Sequence, residues 1–326
     1  MCTAINYKTK DHYFGRNLDL EYTYQETVAV TPRNYSFRFR NVGEMATHYA
    51  MIGMAYVVDG YPLYYEATNE KGVSAAGLLF AGNAHYPGMA EGKDNIPPFE
   101  FIPWLLAQCK NMQEVRKLLE RVNLVNHSFS EELPLTPMHW MISFNEESLV
   151  VEAMEDGLHV YENPVGVLTN NPPFPMQLWN LTNYMGMTRE TSENRFAKNL
   201  SLEVYSKGMG ALGLPGDVSS ASRFVRAAFV LHNSLSADSE EESVGQFFHI
   251  LTSVEQQRGC VRVEGEKFEI TVYSSCCNAD RGIYYYTTYG NRQITAVDMH
   301  QENLEGSKVI SYSLVKNEQI FCQNTH

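Results

Sequence analysis

The 326-residue chain carries a formal charge of −13 at pH 7, and 44% of its residues are hydrophobic and 19% charged, an ordinary globular composition with the length for a large buried core. The acidic balance argues against a nucleic-acid reader, because no cluster of Lys and Arg is present to neutralise phosphates. No run of about 18 apolar residues predicts a membrane span, and no basic and apolar N-terminal regions predict a signal peptide. A cytoplasmic protein without stable membrane insertion is therefore expected.

The chain opens Met1-Cys2-Thr3-Ala4-Ile5-Asn6-Tyr7. Loss of an initiator methionine before a small residue would leave Cys2 with a thiol and a free α-amine. Those groups are a nucleophile and a candidate base, joined covalently. Unperturbed, they titrate at about 8.5 and about 7.7–8.0, so both change protonation near neutrality. Taken alone, chance placement of this cysteine is an equal reading.

Residues 2–7 read as a strand and 12–20 as a second, with Phe14, Leu18 and Leu20 on one parity. The polar Lys8-Thr9-Lys10-Asp11 between them predicts an antiparallel hairpin that brings Arg16 or Asp19 near the N-terminus. Arg16 and Asp19 are three apart and fall on opposite faces of a strict strand. Service in one site therefore requires a bulge or bend between them. Further strands are expected at 27–31, 36–40, 48–58, 61–68 and 73–81, making a meander of six or seven strands, not a βαβ alternation.

Helices follow. Pro97-Pro98 leads into Phe99, Ile102, Trp104, Leu105 and Leu106, and Asn111 with Glu114 forms a capping box ahead of Met112, Val115, Leu118, Leu119 and Val122. Strands return at 139–145, 148–154 and 158–161, and Gly166 to Asn170 reads as a strand stopped by Asn171-Pro172-Pro173. Ser219-Ser220 can cap one helix, and Ser239 with Glu242 another. The last third reads as strands near 268–275, 282–288, 293–297 and 308–313. The order sheet, helix pair, sheet, helix pair, sheet predicts one α+β domain over residues 1–326, a four-layer αββα sandwich of two antiparallel sheets flanked by helices.

Several candidate motifs can be weighed residue by residue. Gly208-Met209-Gly210-Ala211-Leu212-Gly213 fits G-x-G-x-x-G, but Pro215-Gly216 follows at once and no hydrophobic strand leads in, so a loop is the better reading. The cysteines Cys2, Cys109, Cys260, Cys276, Cys277 and Cys322 match no zinc spacing, and the histidines form no metal pair; no metal and no cofactor are expected. Cys109, in an apolar stretch, reads as a buried free thiol. Asn170 before Asn-Pro is a turn residue or a donor aimed at an oxyanion. Arg223, in the first turn of a helix, opposes the macrodipole, which hints at a role beyond helix stability. Asp19 is an Asp in a strand, where Asp is depleted, and points to a specific amine or guanidinium partner.

Met1-Cys2-Thr3-Ala4, Phe14-Gly15-Arg16-Asn17-Leu18-Asp19, Asn69-Glu70-Lys71-Gly72, Leu168-Thr169-Asn170-Asn171-Pro172, Gly213-Leu214-Pro215-Gly216-Asp217 and Ser222-Arg223-Phe224 together resemble the choloylglycine hydrolase family. That family holds bile salt hydrolases and penicillin V acylases within the N-terminal nucleophile hydrolases. The resemblance runs from Cys2 to about Asp298, through Ile283-Tyr284-Tyr285-Tyr286 and Asn291-Arg292-Gln293-Ile294.

The resemblance implies the same αββα sandwich, a homotetramer of bacterial cytoplasm, and cleavage of the amide joining a bile acid to glycine or taurine. Conjugated bile salts would be the small-molecule partners. Carried over by motif, Cys2 is the nucleophile and its α-amine moves the proton. Asp19 holds that amine, Arg16 favours thiolate, Asn170 is an oxyanion donor and Arg223 orders the site. Leu18, Tyr24, Leu79 and Lys207 fall among substrate-binding positions, with Tyr22, Met54, Tyr56, Val57, Val58 and the 129–138 loop at the pocket mouth. Lys207 is expected to attract the taurine sulfonate or glycine carboxylate. Leu79 departs from the pattern, since bile salt hydrolases carry Asn there and penicillin acylases often Tyr. The backbone N–H, which Leu79 retains, is then the expected second donor. Alternatives to a bile salt hydrolase are a penicillin V acylase-type amidase and a non-catalytic binder of amphipathic ligands.

Overall fold

The structure is a computed structural model and describes residues 1–324. β1 (Cys2–Lys8) and β2 (His12–Leu20) form the expected hairpin, and β3 (Thr27–Thr31), β4 (Phe37–Phe39), β5 (Gly43–Met45), β6 (Met51–Val58), β7 (Tyr61–Asn69) and β8 (Ser74–Leu79) follow. Next come β9 (Asp94–Ile96), α1 (Phe101–Leu106), α2 (Met112–Leu119), β10 (Val122–Leu124), β11 (Met138–Phe144), β12 (Glu147–Met154), β13 (Gly157–Glu162), β14 (Val167–Leu168) and α3 (Phe174–Leu181). The chain then gives α4 (Ser220–Asn233), α5 (Glu240–Thr252), β15 (Ile270–Asn278), β16 (Ile283–Thr288), β17 (Asn291–Asp298) and β18 (Ile310–Ser313).

These strands build two large antiparallel sheets. One runs β14-β1-β2-β15-β16-β17 and the other β13-β12-β11-β8-β7-β6-β3-β18. One apolar core joins the inner faces of the two sheets to α4 and α5, through Cys2, Ala4, Leu18, Met54, Leu78, Phe224 and Phe247. A second lies between α1, α2 and the outer face of the larger sheet, around Trp104, Leu105, Trp140 and Ile142. The expected αββα layering is therefore present.

The first sheet begins where the sequence begins. β1 and β2 are buried on both faces, as strands with a sheet on one side and helices on the other should be. Gly15 is required in β2, because a Cβ there would sit 2.0 Å from the Ser275 carbonyl oxygen. Cys2 pairs with Leu18 and Ala4 with Arg16, so these four side chains share the inter-sheet face.

Four expectations need correction. The N-terminal strands are not one meander, since β1 and β2 belong to the smaller sheet while β3, β6, β7 and β8 enter the larger, and β4-β5 stands as a separate ribbon. The 166–170 strand shrinks to Val167–Leu168, held to β1 by only two residue pairs. β9 and β10 make a short parallel ladder where no strand was expected, and Val122, expected on the face of α2, belongs to β10. Ser219 stands at the N-cap of α4, but its side chain makes no cap bond; Asp217 instead accepts from the Ser219 N–H and the Ser222 hydroxyl. The caps at Asn111 and Ser239 form as expected, each accepting from the backbone N–H three residues on.

Candidate active site

The β1 N-terminus is held by side chains from three other segments. The Cys2 backbone nitrogen donates to Asn170 Oδ1 at 2.8 Å, and the Cys2 carbonyl accepts from Arg223 Nη1 at 2.5 Å. Arg223 also donates to Thr3 Oγ1 at 2.7 Å and, through Nη2, to Asn170 Oδ1 at 2.8 Å. Its place in the first turn of α4 is thus explained by its partners on β1 and at residue 170, not by the helix. Asn170 is fixed in turn by its backbone N–H on Ser220 Oγ at 2.8 Å and its side-chain Nδ2 on the Leu79 carbonyl at 2.7 Å.

Arg16 and Asp19 approach from opposite faces. Arg16 lies wholly buried between the sheets and donates to the Gly77 carbonyl at 2.5 Å and the Tyr65 carbonyl at 3.3 Å. Asp19 sits on the helix side, accepting from Thr271 Oγ1 at 2.7 Å with Arg223 Nη1 at 3.9 Å. The expected bulge between them is absent, since the β1–β2 register runs unbroken from Leu18 to His12; the slip lies on β15, between Thr271 and Tyr273 opposite Asp19 and Leu18, and the two side chains stay on opposite faces. Arg16 Nη2 and Asp19 Oδ2 are both buried without a hydrogen-bond partner among the described residues.

The electrostatics follow this placement. Burial pushes the Asp19 carboxyl up, opposed by Arg223, the N-terminal ammonium, the Thr271 hydrogen bond and Arg16. Burial alone would lower Arg16, but Cys2, Tyr273, Glu66 and Asp19 hold it above the ordinary arginine value. Met1 occupies the end of the strand. Its ammonium donates to the Asp19 carbonyl at 2.7 Å and pairs with Glu269, while its own carbonyl accepts from the Asp19 N–H at 2.9 Å. Burial lowers that ammonium's pKa. With Met1 attached, the Cys2 nitrogen is a peptide amide and cannot serve as a base.

The proposed substrate positions divide. Leu18 is buried directly across the ladder from Cys2. Tyr24 joins an aromatic group with Tyr22, at 4.9 Å between ring centroids, and Tyr56, at 6.1 Å. Tyr24 and Glu26 also lie close enough to Tyr65 to add to the burial that raises its phenol. Leu79 ends β8 with its side chain half-exposed. Phe80 N bonds the Pro137 carbonyl and Leu79 pairs with Met138, so the Leu79 peptide groups face away from β11, toward Asn170. Lys207 is exposed on a turn, and no described contact ties it to the cluster.

Sequence reasoning missed Glu66. Its carboxylate accepts from Tyr273 at 2.7 Å, Ser275 at 2.9 Å and Tyr284 at 2.5 Å, with Arg16 Nε at 3.9 Å. The available signal was a Glu inside a strand of Tyr, Ala and Thr, where Glu is depleted. Thr271 and Glu269 carried no such signal, since polar residues are common at strand starts.

The choloylglycine hydrolase family profile, of linear amide C–N hydrolases, matches residues 2–312. The chain belongs to the choloylglycine hydrolase family. It is 53% identical over 324 residues, 99% of this chain and 100% of its relative, to a bile salt hydrolase/transferase of Lactiplantibacillus plantarum. The structure of a mutant conjugated bile acid hydrolase from Clostridium perfringens superposes with a TM-score of 0.92 at 39% identity, covering 99% of this chain and all of that one. A penicillin V acylase from Agrobacterium tumefaciens shares the fold at a TM-score of 0.77 and 18% identity, over 97% of this chain and 92% of that one. This chain is, like its family, an amide hydrolase.

Proposed function

We propose that this chain hydrolyses the amide of glycine- or taurine-conjugated bile acids, with Cys2 as nucleophile once Met1 is gone. The observation that carries the reading is the pair of buried groups without a hydrogen-bond partner, Arg16 Nη2 and Asp19 Oδ2, on the two faces of β2, the strand laddered to the one that begins at Cys2. A guanidinium N–H suits a thiolate and a carboxylate oxygen suits an ammonium. Cys2 then supplies both. The names of the relatives, bile salt hydrolase/transferase and conjugated bile acid hydrolase, support the substrate class.

In this scheme the neutral α-amine takes the thiol proton as sulfur attacks the amide carbon. The oxyanion is met by the Asn170 amide and the Leu79 backbone N–H. Collapse expels the amino acid, whose nitrogen takes the proton from the α-ammonium and leaves an acyl-thioester. Water attacks the thioester with the α-amine again as base, and the bile acid leaves as the thiol reforms. Asp19 and Arg223 hold the strand end, and the apolar side chains of Leu18, Tyr24 and Leu79 face the steroid.

The proposal extends to one domain over residues 1–326 acting as a homotetramer in bacterial cytoplasm. Exposed Met185, Phe196, Leu202, Tyr205 and Leu212 on the 185–212 segment support self-association. No helix among the described residues is long and apolar enough to cross a membrane. Incubation with glycocholate, taurocholate and penicillin V tests the reading. Free glycine or taurine is expected, and release of the side-chain acid from penicillin V alone would replace it with the acylase reading. No release from any of the three would leave a non-catalytic binder.

A further inference from the structure

A wholly buried pair behind Asn170 takes no part in the scheme above. His139 on β11 places Nδ1 3.0 Å from Glu152 Oε1 on β12 and Nε2 2.9 Å from the Thr169 carbonyl oxygen. A carbonyl can only accept, so Nε2 carries a proton. Glu152 also accepts from the Phe174 backbone N–H, at 3.0 Å and 3.3 Å from its two oxygens. One more proton must then lie between Nδ1 and Oε1. The dyad is neutral as a unit, whether imidazolium with carboxylate or imidazole with carboxylic acid. A pair satisfied on every side avoids the penalty of an unpaired buried charge.

Through these bonds the dyad holds both ends of the turn that carries Asn170. Thr169 precedes Asn170, and Phe174 opens α3. The far side of the Asn170 contact is held as well. The His139 ring stacks on Phe80 with 4.3 Å between centroids and 6° between planes, and Phe80 follows Leu79, whose carbonyl accepts from Asn170 Nδ2. One imidazole therefore supports the covalent neighbour of each partner in that contact. We propose that His139 and Glu152 form a positioning dyad that fixes the Asn170 amide and the Leu79 peptide edge as an oxyanion-binding pair. The proposal rests on the acyl-transfer reading above.

Two variants at residue 152 separate positioning from bulk stability. In Glu152→Gln the amide oxygen accepts from the Phe174 N–H while the amide NH₂ donates to Nδ1, so every bond is remade without charge. In Glu152→Ala the Phe174 N–H and Nδ1 lose their partner. With turnover normalised to titratable Cys2 thiol, Glu152→Ala is expected to lose about 10- to 100-fold in kcat, the cost of a misplacement of about 1 Å. Its KM is expected to stay within about two-fold, and Glu152→Gln to keep kcat within about three-fold of the parent. A merely structural role would lower the unfolding temperature of Glu152→Ala and leave normalised kcat intact, which overturns the proposal. A crystal structure of Glu152→Ala gives a readout independent of activity, because an Asn170 Nδ2 to Leu79 carbonyl distance still at 2.7 Å overturns positioning. Absence of bile salt cleavage by the parent protein would instead remove the functional reading and leave that distance to decide.

Discussion

Asn170 turns its side-chain oxygen toward Cys2 and its nitrogen toward the Leu79 carbonyl, at 2.8 Å and 2.7 Å. The residue thus holds the nucleophile's strand with one atom and presents a donor with the other. Asn170→Asp separates the two duties, keeping the acceptor for Cys2 and Arg223 while removing the donor. It is expected to fold and to lose about 10²–10³ in kcat, the usual cost of one oxyanion donor. Leu79→Asn, by contrast, should change kcat by less than about three-fold if the backbone N–H is the second donor. A gain near 10²-fold would instead assign that donor to the side chain.

Cys2→Ala should abolish amide cleavage. A chain that retains Met1 is expected to be equally inactive, because its Cys2 nitrogen is an amide bonded to Asn170. Mass measurement of the N-terminal peptide, taken across fractions of differing specific activity, checks this. Activity that fails to track the fraction beginning at Cys2 would remove the α-amine from the mechanism.

His12 gives a pH dependence of stability. Its Nδ1 accepts from the Asn145 N–H at 3.3 Å and its Nε2 lies 2.7 Å from Asn6 Oδ1, so the ring is held neutral. Burial, with Lys8 adding to it, drives its pKa down to about 3. The folded value lies below the unfolded one, so this stabilisation is complete above about pH 6.5 and is lost as the pH falls from there toward 3. Across that window the unfolded state holds one more proton, worth about 1.4 kcal/mol per pH unit. Urea unfolding of His12→Gln between pH 7.5 and pH 4.5 is expected to show a slope shallower by that amount. Parallel curves would reject the assignment.

Lys207 is exposed, so any pull on a sulfonate or carboxylate is screened within about 8–10 Å in physiological salt. Lys207→Ala is expected to change the taurine-to-glycine activity ratio at low ionic strength, and the difference should fade at 0.5 M salt. An unchanged ratio at both salt concentrations removes Lys207 from the leaving-group site.

Most strands were legible because alternation and turn residues mark them, as in β6, β7, β11 and β12. Assignment of strands to sheets was not legible, since the polarity at Lys8–Asp11 specifies a hairpin but not the layer it enters. β9, β10 and β14 escaped or shrank because two or three residues carry no period. Within the site, Asp19 and Arg223 stood out as misplaced for their local elements and Cys2 by its N-terminal position, while Asn170 read as a turn residue or a donor, and the fold brings all four together. Arg16 and Asp19 keep the opposite faces that their spacing predicts, and the slip opposite Asp19 lies on β15, so no inspection of β2 could locate it. His139 and Glu152 are polar residues among apolar neighbours in their strands, and only their partners show what they hold.

The carboxylate of Glu66 has a consequence for how this interior can change. Arg16, Tyr273, Ser275 and Tyr284 reach it from β2, β15 and β16, making with Glu66 itself a group of five. Replacing any one with an apolar residue strands its neighbours without solvent or partner, at about 1–3 kcal/mol for each polar group left behind. Replacing Glu66 and its three hydroxyl donors together removes that penalty but leaves the buried Arg16 without its counter-charge. This part of the molecule therefore resists gradual substitution, and a thermostabilising redesign must rewrite it as one cassette or leave it alone.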